Sequence, residues 1–269
     1  MIAVELAALL RRPRTWLSIV LLAGLPTVAA WFVHASGIAP APDQGPAFLS
    51  QVLTHGQLLA PAALAIVMPL FLPISVAVVA GDAVAGEASA GTLRYLLLRP
   101  VGRTRLLVAK LTSAIAFVLL AVVAVAGTGY VVGTHLFSAE PLPSTISGGP
   151  ALQRNDLLLR FAVAIGYVAV SMLGVAAFAL FFSTLSDSSL GATLGALAVL
   201  VSSQVLDLLD AAGPVRAWLP THYWLAFVDL FRDPVLWHGV QRGSLQQLGY
   251  VAVLLAASWA VFATKDVTS

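Results

Sequence analysis

The stretch LVAKLTSAIAFVLLAVVAVAGTGYVV, Leu107 to Val132, carries one charged side chain, Lys110, and is otherwise apolar or weakly polar. A helix needs about 20 such residues to cross roughly 30 Å of hydrocarbon. The alternation expected of a barrel strand is missing, so the stretch predicts a membrane-spanning helix. Working outward, five further runs read the same way. They are Trp16 to Val33, Leu58 to Ala80, Leu158 to Phe182, Leu190 to Leu206 and Leu245 to Ala263. Composition agrees: 59% of the 269 residues are hydrophobic and 10% are charged, where a soluble domain carries roughly a quarter charged. Mean hydropathy is +0.95. The expected fold class is an all-α integral membrane protein with about six transmembrane helices in one domain, residues 1–269.

The run from Leu58 contains Pro61, Pro69 and Pro73. Prolines inside a span kink it, and neighbours must then satisfy the freed carbonyls. Ordinary irregularity and a hinge both remain open for them. Between the third and fourth spans, SAEPLPSTISGGP is a loop signal.

Lys and Arg fix the orientation. With the N-terminus inside, the cytoplasmic side receives Arg11, Arg12, Arg14, Arg94, Arg99, Arg103, Arg105, Lys110 and Lys265. The outer side receives Arg154, Arg160, Arg216, Arg232 and Arg242, so the positive-inside rule places both termini in the cytoplasm. The first apolar run exceeds a signal peptide's usual h-region, so it reads as an uncleaved anchor.

Several chemistries lack their residues. There is no cysteine, hence no disulfide or thiolate site. A P-loop needs Gly-Lys, but Lys110 follows Ala109 and Lys265 follows Thr264. H-E-x-x-H and G-x-S-x-G are absent, so the chain is not expected to be an enzyme. His34, His55, His135, His222 and His238 lack ligand spacing, so no metal is expected. The predicted spans hold almost no charge, so active transport would draw its energy from elsewhere, with backbone-coordinated ions left open. No convergent polar cluster identifies a cargo.

The densest charge lies in GDAVAGEASAGTLRYLLLRPVGRTRLLVAKL, residues 81–111, between the second and third spans. Thr92 is a suitable N-cap, and Leu93, Leu96 and Leu97 then share one face of a short helix, with Arg94 directed elsewhere. Pro100 ends that helix and disfavours helical geometry at Arg99. A new helix is predicted from about Arg103. Topology alone accounts for the arginines, and Glu87 reads equally as a solvated or capping carboxylate.

The series Glu87, Gly91, Thr92, Leu93, Pro100, Arg103 and Lys110 resembles the cytoplasmic loop of the type 2 ABC transporter permeases, membrane subunits of bacterial exporters. The alanine-rich GEASAGT departs from the charged residues that relatives often carry there. VELAALLRRPRTW near the N-terminus is similar to the family's amphipathic connecting helix (residues 1–14), with Leu6, Leu9 and Leu10 on one side and Glu5, Arg11, Arg12 and Arg14 as its charged residues. The resemblance implies a coupling element over 81–105 that docks on a separate ATPase. Glu87 and Arg94 would anchor or orient it, and Leu93, Leu96 and Leu97 would fill a groove. Thr92, Arg99 and Pro100 would shape the turn, and Arg103 would support entry into the third span. It also implies two ATPase copies holding ATP and Mg, a second permease subunit, identical or different, and a lipid environment in the bacterial cytoplasmic membrane. This chain would bind neither cofactor nor nucleic acid. An autonomous channel or secondary carrier, or a non-transporting membrane subunit coupled to an ATPase, is the alternative reading.

Residues 209–243 interleave Trp218, Tyr223, Trp224, Phe227, Phe231 and Trp237 with charges, as expected of an outer interfacial segment. In the resembling family this region can dip into the membrane and cap the pathway.

Overall fold

A computed structural model describes residues 2–38, 48–91, 103–137, 154–232 and 234–264. Eight α-helices lie among them: α1 (Ile2–Arg11), α2 (Pro13–Ser36), α3 (Leu59–Val67), α4 (Phe71–Ser89), α5 (Arg103–Leu136), α6 (Arg154–Leu185), α7 (Ser189–Asp207) and α8 (Trp237–Thr264). There is no β-strand among the described residues. Six helices, α2 and α4 to α8, are long and apolar enough to cross a membrane. The protein is thus an all-α, multi-pass integral membrane protein. Six passes leave α1 and the end of α8 at one end of the bundle, called basal here; residues 37–38, 48–58, 208–232 and 234–236 lie at the distal end.

α6 is the hub, packed against α4, α5, α7 and α8. The outer helices show one buried stripe each. On α2 it is Ile19, Leu22, Pro26, Ala30 and Val33, at helical spacing, while Trp16, Leu17, Val20, Leu21, Trp31 and Phe32 face outward. Such an apolar exterior would be a liability in water and is ordinary against lipid.

The expected second span, Leu58 to Ala80, is not one helix. It is divided at Met68 to Leu70 into a nine-residue distal half, α3, and a 19-residue basal half, α4, that runs on to Ser89. Proline placement explains the division. Pro61 and Pro73 each occupy the third position of a helix, where the missing N–H has no intrahelical acceptor in any case. Pro69 lies in the break, and its carbonyl accepts from Gln204 Nε2 of α7 at 2.5 Å. The freed backbone group is satisfied by a neighbouring helix, as a span interrupted inside hydrocarbon requires.

α3 is held against α5 through glycine. Gly129 and Gly133, one turn apart on α5, face Gly56 and Leu59 to Ala63, and a Cβ at Gly129 would lie 2.9 Å from the Leu59 carbonyl. The i, i+4 pair lets the two backbones touch, the small-residue packing that replaces hydrophobic driving force inside a membrane.

Candidate functional site

At the basal end the helices bring together charges that are scattered in sequence. Lys110, one turn beyond the start of the apolar part of α5, is 4% exposed. Its Nζ donates to Glu5 Oε1 of α1 at 2.9 Å and to Glu87 Oε1 of α4. Beside it, Arg14 of α2 donates to Asp82 Oδ2 of α4, and Arg12, between α1 and α2, reaches the same oxygen at 3.5 Å. Three cations and three carboxylates thus neutralise one another across four helices. The two halves differ in strength. Arg12 and Arg14 keep 45% and 49% of their side chains exposed, so solvent screens those pairs. Lys110 keeps 5%, so loss of its charge would strand two carboxylates in a poorly solvated site.

α4 is prepared for this role one turn earlier. Ser183 of α6, fully buried, donates to the Gly81 carbonyl at 2.6 Å and accepts from Val84 N and Ala85 N at 3.0 and 2.9 Å. On the opposite flank Thr193 of α7 approaches Gly81 so closely that a Cβ there would lie 2.7 Å from its Oγ1. A side-chain hydroxyl bonded into a helix ladder is a site where a helix can bend. Residues 82–89 therefore form a terminal segment of α4, clamped at Gly81 and fixed at its end by Glu87.

This placement narrows the loop expected over 81–105. Residues 81–89 are helix, not loop, and Glu87 pairs with Lys110. The spans also carry more charge than their predicted limits suggested, because Asp82 and Glu87 lie on the same helix as the second span. Thr92, Leu93, Arg94, Leu96, Leu97, Arg99 and Pro100 fall outside the described residues. Arg103 opens α5, as predicted. On α1, Glu5, Leu6 and Leu9 turn toward the bundle while Leu10 is 46% exposed, so the three leucines do not share one side. α1 ends at Arg11, and Trp16 Nε1 bonds back to the Leu10 carbonyl at 2.8 Å.

The distal end holds a polar layer that sequence reasoning missed. The turn from Trp218 to Tyr223 joins two short 3₁₀ helices, Asp210–Trp218 and Trp224–Phe231, and four of its carbonyls are met by side chains. Gln246 and Gln247 of α8 donate to the carbonyls of Leu219 and Pro220 at 2.9 and 2.6 Å, Tyr250 donates to Trp218 and Tyr167 of α6 donates to Tyr223. Ser203 of α7 pairs with Thr221 at 2.7 Å. Asp207, the last residue of α7, accepts from Arg216 Nε at 2.9 Å and faces His222 Nδ1 at 2.6 Å. Gln247 lies ten residues into α8 and Tyr167 thirteen into α6, or ~15–20 Å along each helix at 1.5 Å per residue. The turn is therefore inserted among the spans.

The expected interfacial segment is divided accordingly. Trp218 and Trp237 are 74% and 48% exposed, as interfacial aromatics are, but Trp224, Phe227 and Phe231 are core residues. Phe231 sits 5.1 Å from Phe48 and 5.3 Å from Phe161, centroid to centroid. Residues 237–243 belong to α8. The missed signal was neutral polar pairing: Ser203-Gln204 in the fifth span and Gln246-Gln247 in the sixth are amides and hydroxyls that need partners in hydrocarbon. Among the described residues no group of three metal-ligating side chains occurs, and His222 meets the Asp207 carboxylate.

A family model described as a protein of unknown function (DUF2705) matches residues 47–268. No curated protein matches the chain.

Proposed function

The chain belongs to the DUF2705 family, whose function is unknown, and from its own residues we propose that it is the permease subunit of an ATP-driven exporter of the type 2 ABC class. The observation that carries the reading is the Lys110 cluster. It ties α1 to α4 and α5, the helices that precede and follow in sequence the segment 92–102, whose motif resembles a coupling element. A push on that segment reaches Ser89 and Arg103, and through Glu87 and Lys110 it reaches two spans and the N-terminal helix as one unit. Glu87 then orients the coupling element from within, while Arg94, Leu93, Leu96 and Leu97 meet the ATPase.

On this reading the basal end is cytoplasmic in a bacterial inner membrane. Two ATPase copies hold ATP and Mg, and a second permease subunit completes the pathway. Co-expression with a P-loop ATPase encoded beside it tests the idea. A stable complex is expected, and Arg94→Glu or Leu96→Asp should release the ATPase while the permease stays folded. Cargo movement with no ATPase present would overturn it.

A second reading draws on the interrupted second span. Discontinuous spans with exposed backbone carbonyls are where many secondary carriers bind their ions, and here the break at Pro69 meets Gln204. A flux driven by an ion gradient alone in reconstituted vesicles would favour that reading.

A further inference from the structure

Between α3, α5 and α6 the distal half of the bundle carries an elongated cavity of about 280 Å³. Its floor is Ala60, Leu64, Ala126 and Phe161, all buried, and its rim is Gly127, Leu158 and Ala162, all exposed. A volume nearly twice that of the ~150 Å³ cavity that takes up benzene is large enough for a flexible apolar ligand.

The shape selects which one. On α6 the lining runs from Leu158 through Phe161 and Ala162 to Ile165, at i, i+3, i+4 and i+7, so the groove follows the helix for ~10 Å. A groove parallel to the spans runs along the membrane normal, the direction of a lipid chain. Its mouth opens on the face where these helices meet the bilayer, since Leu158, Ala162 and Gly127 are exposed in spans α5 and α6. The connection that passes nearest in sequence, 138–153, is rich in Ser, Pro and Gly and offers few long apolar side chains to fill it.

We propose that this groove seats one acyl chain of a resident lipid from the leaflet at the distal end. The small residues Ala60, Ala126, Gly127 and Ala162 admit the chain, and Leu64, Phe161 and Leu158 contact it. The proposal stands apart from the ATPase reading, because a carrier or channel would hold the lipid equally well.

The test uses the full-length protein in nanodiscs of phosphatidylcholine containing a trace of a diazirine-acyl phosphatidylcholine, with cross-linked peptides identified by mass spectrometry. Gly127→Leu is the filling variant, because a Cβ at Gly127 meets no atom within 4 Å and the added side chain points into free space. Gly166→Leu is the matched control, a position equally clear of neighbours but outside the lining. Labelling of 126–130 and 158–165 should exceed that of the exposed α7 face at Leu194 and Val201. It should fall to the level of the α7 face in Gly127→Leu, because the leucine takes the space of the chain, and should not change in Gly166→Leu. Equal labelling of groove and α7 face, or no change in Gly127→Leu, overturns the proposal. So do cross-links from groove residues to a second copy or to 138–153, and so does loss of the label during transport cycles, which would make the occupant cargo. If Gly127→Leu does not fold, Ala162→Leu on the rim of the same groove replaces it: the same loss of groove labelling is expected, and unchanged labelling in that variant overturns the proposal.

Discussion

Replacing Lys110 by methionine is the most informative single change. Methionine keeps the length and apolar stem of the side chain and removes the charge, so the change isolates electrostatics. In the parent protein one 4%-exposed ammonium serves Glu5 and Glu87, whose side chains are 20% and 18% exposed. Without it two carboxylates on different helices face each other with no cation at their centre. Breaking a buried pair by removing one partner costs about 3–5 kcal/mol, mostly the penalty of the stranded charge. Here the carboxylates keep some access to water, so the lower part of that range is expected. Two further variants separate the causes. Glu5→Gln removes one of two acids and leaves Lys110 paired with Glu87, so it should cost about 1 kcal/mol or less. Lys110→Met with Glu87→Gln should recover part of the single-variant loss, with an interaction energy above about 0.5 kcal/mol, because the residues touch. The assay is denaturant unfolding in one fixed detergent, followed by tryptophan fluorescence. If Lys110→Met changes stability by less than about 0.5 kcal/mol, the level of an ordinary surface substitution, the cluster is solvated and the coupling of α1 to α4 and α5 through it is wrong.

Four other outcomes follow from the packing. Gln204→Leu strands the Pro69 carbonyl and should cost about 1–3 kcal/mol, measured in the same unfolding assay; a neutral result would mean the break is hydrated. Ser183→Ala removes a hydroxyl shared by Gly81, Val84 and Ala85 and should both destabilise by a similar amount and change hydrogen exchange at 81–89 more than elsewhere in α4. Gly133→Leu should abolish folding where Gly127→Leu on the same helix is tolerated, because a Cβ at Gly133 collides with Gly56 and Leu59 while one at Gly127 meets nothing; size-exclusion profiles of the two report it. Because the chain has no cysteine, Ile38→Cys and Ala90→Cys should react with a membrane-impermeant maleimide only from opposite faces of sealed vesicles, and labelling of both from one face contradicts six passes.

The sequence by itself determined the number of spans and the all-α class, because the cost of burying unpaired backbone in hydrocarbon leaves a helix as the economical crossing and about 20 apolar residues make one. It also marked Glu87, Lys110 and Arg103 as belonging to one neighbourhood, since their order along 81–111 is local. Tertiary structure alone decided what those residues touch. Glu5 is more than a hundred residues from Lys110, and no local pattern says that α1 folds back onto the base of α5. Nor does hydropathy, which averages over a window, separate a span broken at Pro69 from a continuous one. The Trp218 to Tyr223 turn reads as surface because the side chains that meet four of its carbonyls are distant in sequence and come from α6 and α8. Polar groups in a membrane are placed by their partners, and partners are chosen in three dimensions.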